Sequence, residues 1–223
     1  MKSKNSTLKI LVIITTVVIL LGIALVVLNN SKNPDNGETF AEQPPIEGQP
    51  ILGEADAPVT VVEFGDFKCP SCKAWGETIF PQLVKDYVDT GKVKFSYINT
   101  LFHGEESTLG SMAAESVYEQ SPDTYWEFHT TLFDEQPSEN HHSQWITNEK
   151  ILEVANGIEN INVQQLELAL EEQSGLEEVK KDTELVEKFN VQMTPSIMVN
   201  DIMLEDPFDY EAIKKLIEQE LEG

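Results

Sequence analysis

The sequence predicts an α/β domain with a helical insertion between its second and third core strands, carried behind one N-terminal transmembrane helix. Three observations lead there. First, the β-branched run at 59–64 (Val-Thr-Val-Val-Glu-Phe) leads within a few residues to Cys69-Pro70-Ser71-Cys72, after which Ala74, Trp75, Ile79, Leu83, Val84 and Tyr87 recur at helical spacing. Second, apolar residues keep a helical period from about 107 to 190. Third, the period returns to two at 197–199 and 202–204, across the hairpin pair Asn200-Asp201, before an amphipathic helix over 209–221. A strand-helix-strand unit, a helical block, then a hairpin and a helix describe an α/β layer with an inserted helical subdomain.

Taken in order, residues 10–28 are apolar except for Thr15, Thr16 and Gly22. At 1.5 Å per residue they reach roughly 28 Å, close to the hydrocarbon thickness of a bilayer. A cleaved signal would have an apolar core of about 7–15 residues and a small-x-small site after it. The following Asn29-Asn30-Ser31-Lys32-Asn33-Pro34 offers no such site. Lys2, Lys4 and Lys9 precede the segment and no acid comes before Asp35, so residues 1–9 are expected in the cytoplasm and the remainder outside. Residues 10–28 thus read as an uncleaved signal anchor. Residues 29–53, rich in Asn, Pro, Gly and acids, read as a flexible tether, and 54–223 as the folded domain.

All 15 basic residues are Lys. Beyond the anchor, 12 Lys face 39 acids, a net charge of −27. A field of that sign repels nucleic acid and anionic headgroups, which excludes nucleic-acid partners and leaves a solubilising surface.

Within the domain, a helix is expected from about 69 to 89, kinked at Pro81 and ended by Thr90-Gly91. A second strand follows at 93–99, and the helical insertion occupies about 101–190.

The chemistry centres on the two cysteines. A helix N-terminus carries unpaired N–H groups and the positive end of the dipole, so a thiolate at Cys69 is favoured there, and the thiolate is the nucleophile. A purely structural disulfide closing so short a loop would gain little chain entropy. A structural zinc site needs four ligands, and no second Cys pair or His pair is spaced to complete one. His103, His129, His141 and His142 show no ligand spacing, and His141-His142 is expected on an exposed loop. The many carboxylates leave room for a structural Ca2+ ion, although no loop has EF-hand spacing.

From Val61 to Cys72 (Val-Val-Glu-Phe-Gly-Asp-Phe-Lys-Cys-Pro-Ser-Cys), the chain resembles the thioredoxin superfamily, and the inserted helices resemble its DsbA-like branch. The segments Phe102-His103-Gly104 and Trp126-Glu127-Phe128-His129 are similar to the membrane-anchored Gram-positive members, and the resemblance covers about 50–221. It implies a thiol–disulfide oxidoreductase that introduces disulfides into exported proteins without an organic cofactor. Carried over by position, Cys69 attacks, Cys72 resolves, and Glu63 is the buried acid, a proton acceptor near Cys72. Thr194-Pro195 matches the loop with a cis proline, and Pro70, Ser71, Thr194 and Pro195 are the expected substrate contacts. A DsbB-like, quinone-reducing membrane protein is the implied re-oxidising partner. One departure is Ser71, where many members have a His, so no positive charge stands beside the thiolate. The direction of the reaction is therefore open on sequence alone. A reductase, for example in cytochrome c maturation, and a tethered binding module are the competing functions.

Overall fold

A computed structural model of the chain describes residues 14–16, 37–140 and 143–222. The expected transmembrane helix at 10–28 lies outside these apart from 14–16, as do residues 29–36 of the tether and the His141-His142 pair. No helix among the described residues is long and apolar enough to cross a membrane.

The chain runs β1 (Gly37–Thr39), β2 (Ile51–Leu52), β3 (Val59–Gly65), α1 (Pro70–Thr78), α2 (Phe80–Leu83), a π-turn (Val84–Val88) and β4 (Val93–Asn99). The insertion follows as α3 (Glu105–Gln120), α4 (Tyr125–Asp134), α5 (Asn148–Asn156), α6 (Val163–Glu172) and α7 (Leu176–Lys188). β5 (Ser196–Val199), β6 (Ile202–Leu204) and α8 (Tyr210–Glu222) complete the domain. The sheet order is β1-β6-β5-β3-β4-β2, with β3 and β4 parallel and every other pair antiparallel.

β3 is central and buried at all seven residues. Both of its faces are covered, which is why its sequence is apolar on both sides, interrupted only by Thr60 and Glu63, rather than a strict alternation. Val59 and Val61 point to one side, where they pack with Trp75, Phe95, Ile213 and Ile217 from α1, β4 and α8. Val62 and Phe64 point to the other, against Val186 and Phe189 at the end of α7. Glu63 lies on the Val59–Val61 side by the same alternation, beneath α1. At the end of β3 only glycine fits, because a Cβ on Gly65 would collide with the Tyr97 ring.

Two expectations need correction. The tether does not extend to residue 53. β1 pairs with β6 in the register Gly37↔Leu204 and Thr39↔Ile202, and β2 pairs with β4 at Ile51↔Ser96, so both edges of the sheet are closed by this segment. Phe40 adds a ring contact to Phe189 at 5.4 Å. The helix expected over 69–89 is three pieces. Pro81 has no N–H to give the carbonyl four residues back, and the chain breaks at Ile79 (φ −99, ψ −49) before restarting with Pro81 in the new first turn. It then widens into the π-turn, where the Asp89 N–H reaches the Val84 carbonyl at 2.8 Å.

The insertion sits inside the expected bounds. Two of its helices are capped by the residue types that favour it: Thr147 accepts from the Lys150 N–H at 3.2 Å and Asn162 from the Gln165 N–H at 3.1 Å. Its apolar faces converge with Phe67, Tyr97, Cys69 and Cys72 in one core. The helical block therefore roofs the cysteine pair instead of forming a separate unit.

Candidate active site

Cys69 occupies the N-cap of α1 with extended backbone (φ −77, ψ 120), Pro70 in the first turn, and no acidic residue there. Pro70 lacks an N–H and so wastes none of the unpaired amides at this helix start. The Cys69 N–H donates to the Asp66 carbonyl at 2.9 Å, which fixes the turn between β3 and α1.

Both cysteines are reduced and largely covered, Cys69 6% and Cys72 1% exposed. The Cys69 thiol is lowered to about 5. The largest cause is a hydrogen bond from the Cys72 thiol; burial opposes it, and the Thr194 hydroxyl and the backbone N–H groups of Cys72 and Ser71 assist. In its protonated form the Cys69 S–H donates to the Thr194 carbonyl at 3.3 Å. The activation expected of a helix N-terminus is thus present without a histidine at position 71. Burial pushes the Cys72 thiol well up, aided by its hydrogen bond to Cys69 and by the charges of Glu63 and Cys69. The Asp66 N–H reaches the Cys72 Sγ at 3.4 Å. One thiol is therefore anionic at neutral pH, and its neighbour keeps its proton.

Glu63 is 3% exposed, and burial followed by the negative charge of Cys69 holds its carboxyl well above the usual range. Its Oε1 has no protein hydrogen-bond partner. Glu63 and Cys72 line one cavity of about 60 Å³. The Thr194-Pro195 peptide bond is cis. Ser71 is exposed, Pro70 and Thr194 are half-buried, and Pro195 is buried. The structure thus brings Cys69 together with Cys72 and Thr194, and places Glu63 on the inner side of Cys72.

Sequence reasoning missed three supporting residues. Asp66 is fully buried, and its carboxylate accepts from the Lys68 N–H at 2.8 Å, the Phe102 N–H at 3.0 Å and the Ser107 hydroxyl at 2.9 Å, with His103 Nδ1 at 2.7 Å. Lys68, 5% exposed, pairs with Glu106 at 2.8 Å and lies 5.8 Å over the Trp145 ring, tying the active-site turn to α3. Buried His129 lines the Glu63–Cys72 cavity. Only the unusual placement of charged residues beside an apolar strand could have signalled Asp66 and Lys68.

Among the described residues, no group of three or more His, Cys, Asp or Glu is placed to hold a metal ion. The densest buried acids are Glu115 and Asp182, joined by the Asn99 amide at 2.7 and 2.8 Å, with Gln49 on the far side of Asp182 at 2.5 Å. Burial raises Glu115 to about 8 and Asp182 to about 6. Both folded values lie above the unfolded ones, so the native state binds the extra protons, and the contribution of this pair to stability falls as pH rises from about 4 through 8. Glu115→Gln is expected to flatten that fall, with the variant more stable than the parent by about 1–2 kcal/mol at pH 8. Urea unfolding at pH 5 and pH 8 in chelator, so that no cation shields the pair, measures it; equal slopes would refute the assignment.

A family profile described as thioredoxin matches residues 46–219, and the chain belongs to that family. Disulfide bond formation protein D of Bacillus subtilis (strain 168) is 43% identical over 194 residues, covering 87% of this chain and 86% of that one. The crystal structure of oxidised BdbD from Bacillus subtilis superposes with a TM-score of 0.80 at 43% identity, over 85% of this chain and 100% of the other. Chlamydia trachomatis DsbA shares the fold, with a TM-score of 0.68 at 22% identity over 77% of this chain and 90% of that one. With this cysteine geometry and these relatives, the chain is a protein thiol–disulfide oxidoreductase.

Proposed function

We propose that the Cys69–Cys72 couple introduces disulfides into exported proteins on the outer side of the membrane. The observation that carries this reading is the placement of Cys69 at the N-cap of α1 with the Cys72 thiol as its hydrogen-bond partner, which lowers the Cys69 thiol; a stabilised thiolate makes the reduced form the favoured one and the disulfide an oxidant. A relative named for disulfide bond formation supports the direction.

A substrate thiolate attacks the Cys69 sulfur of the Cys69–Cys72 disulfide. The bond's electron pair passes to Cys72, which takes a proton from Glu63. Substrate and Cys69 are now joined, with the substrate strand against Thr194-Pro195 and the exposed face of Pro70-Ser71. A second substrate thiolate then attacks the substrate's own sulfur in that bond and releases Cys69 as a thiolate. Two electrons have moved from substrate to protein between sulfurs alone, so no organic cofactor takes part.

The dithiol must lose those two electrons elsewhere. The sequence has two cysteines and no second redox pair to relay them. A DsbB-like, quinone-reducing membrane protein supplies the oxidant. Residues 10–28 anchor the chain beside it, with the N-terminus inside, and raise the effective concentration. The domain is carried on residues 29–36, the part of the expected tether ahead of β1.

The test is stoichiometric oxidation of a reduced, unfolded secreted protein by the full-length disulfide form in detergent, followed by thiol trapping. Formation of one substrate disulfide per chain consumed supports the reading. Preferential reduction of a disulfide-bonded substrate by the dithiol form, with no oxidation, would replace it with the reductase.

A further inference from the structure

We propose that His129 is a positioning residue that holds water in a proton path linking the Glu63–Cys72 pair to solvent between α1 and α4. This rests on the oxidoreductase reading and goes beyond it, because the exchange step needs a proton to reach a group that protein seals off.

The cavity of about 60 Å³ has Glu63, Cys72 and His129 on its inner wall, and Lys73, Glu77 and Asp134 toward the surface. That volume suits one or two waters, each of which needs two to four polar partners. Two residues of this inner wall carry buried polar atoms without a protein hydrogen bond: Glu63 Oε1, His129 Nδ1 and His129 Nε2. A buried polar atom is unfavourable unless it is hydrogen-bonded, and water is the partner this space admits. The imidazole cannot turn away to find another. It is enclosed by Phe67 (5.3 Å), Tyr97 (4.5 Å), Tyr125 (5.8 Å), Trp126 (5.3 Å) and Phe133 (5.0 Å).

Burial lowers His129 to about 3, so the ring is neutral while the enzyme works. A neutral imidazole has one donor and one acceptor, and can fix a water without taking its charge. The other titratable groups facing it are Tyr97 and Tyr125, both pushed far above neutrality by burial, with Lys73, Glu77 and Asp134 at the mouth.

The step balances as follows. When Cys72 leaves the disulfide with the bond's electron pair, Glu63 gives it a proton. The Glu63 carboxylate then recovers a proton from water held at His129, and solvent replaces it through the mouth. When Cys72 attacks a mixed disulfide the relay runs outward: Glu63 releases its proton to the water held at His129 and takes the one that Cys72 gives up.

The test is rapid mixing of the reduced full-length chain with a fluorescent peptide carrying an activated mixed disulfide. The first phase is capture by Cys69, and the second is release of the peptide by Cys72. His129→Phe keeps the ring contacts and removes both nitrogens; His129→Gln keeps a donor and an acceptor. The second phase of His129→Phe is expected to slow by about 10-fold or more, as for loss of a proton-transfer route, with capture unchanged. His129→Gln should recover to within about 3-fold of the parent. In the parent, the second phase measured in mixtures of H2O and D2O should give a curved dependence, since more than one proton is in flight. His129→Phe as fast as the parent, Phe and Gln equally slow, or a linear isotope dependence would each overturn the proposal. Failure of the parent to show either phase would instead remove the oxidoreductase reading itself.

Discussion

Cys72→Ser is expected to leave the chain covalently joined to its substrate, and Cys69→Ser to abolish thiol exchange altogether. The asymmetry follows from the two environments. Cys69 is the more open of the two sulfurs, and at about 5 its thiol is ionised by roughly 100 to 1 at pH 7. Cys72 is sealed and keeps its proton, so it cannot start the reaction but is placed to end it. With the resolving sulfur gone, capture proceeds and release does not. A stable adduct of chain plus substrate by intact mass is the readout, and its absence would place the attacking sulfur elsewhere. Comparison with Cys72→Ala separates two roles of the same residue. The Cys72 thiol is the largest support of the Cys69 thiolate, a hydrogen bond that Ser retains and Ala removes. Thiolate absorbance should therefore titrate near 5 in the Ser variant and clearly higher in the Ala variant. Capture by the Ala variant at pH 6 should slow correspondingly, because the reactive fraction falls with the ionised fraction.

Much of this arrangement was legible in the sequence. The central strand and the closing helix each carry a period long enough to read, the hairpin is marked by its Asn200-Asp201 turn and the active site by its cysteine spacing, and all are found. Glu63 stood out as one acid inside an apolar strand, and the structure finds it buried and raised. The cis bond at Thr194-Pro195 followed only from family resemblance, because any loop proline looks alike locally. What could not be read was set by tertiary contacts. Edge strands of three and two residues are too short to display a period, so the segment that closes both sheet edges resembled a linker. The break at Ile79 shows the same limit: Pro81 announces a disturbance but not whether neighbouring packing will bend the helix or divide it. His129 stood in a family-like segment, but its role was hidden for the opposite reason. On the apolar face of α4, beside Phe128, Leu132 and Phe133, a lone histidine looks like one more core ring, and only the cavity distinguishes it.

The reduction potential of the Cys69–Cys72 couple is expected between about −220 and −180 mV, more oxidising than thioredoxin. The sign is fixed by linkage: a thiolate exists only in the reduced form, so lowering the Cys69 thiol stabilises that form and raises the potential. The size can be bracketed. Thioredoxin has a thiol near 7 and a potential of about −270 mV, and DsbA a thiol near 3.5 and about −120 mV. At pH 7, moving one thiol from 7 to about 5 adds about 50 mV by linkage alone, since a tenfold change in equilibrium is about 30 mV for two electrons. Interpolating between the two proteins adds about 90 mV. Equilibration of the full-length chain with glutathione buffers and thiol trapping measures it. A value near −270 mV would sink the oxidase and favour a reductase. The pH dependence is a stricter test, because it does not lean on reference proteins. Above pH 5 the dithiol carries one proton, on Cys72, so the potential should fall by about 30 mV per pH unit. Below pH 5 Cys69 is protonated too, and the slope should steepen to about 60 mV per unit. A break in slope near pH 5 would tie the oxidising power to the Cys69 thiolate; a single slope from pH 4 to 8 would show that some other group sets it.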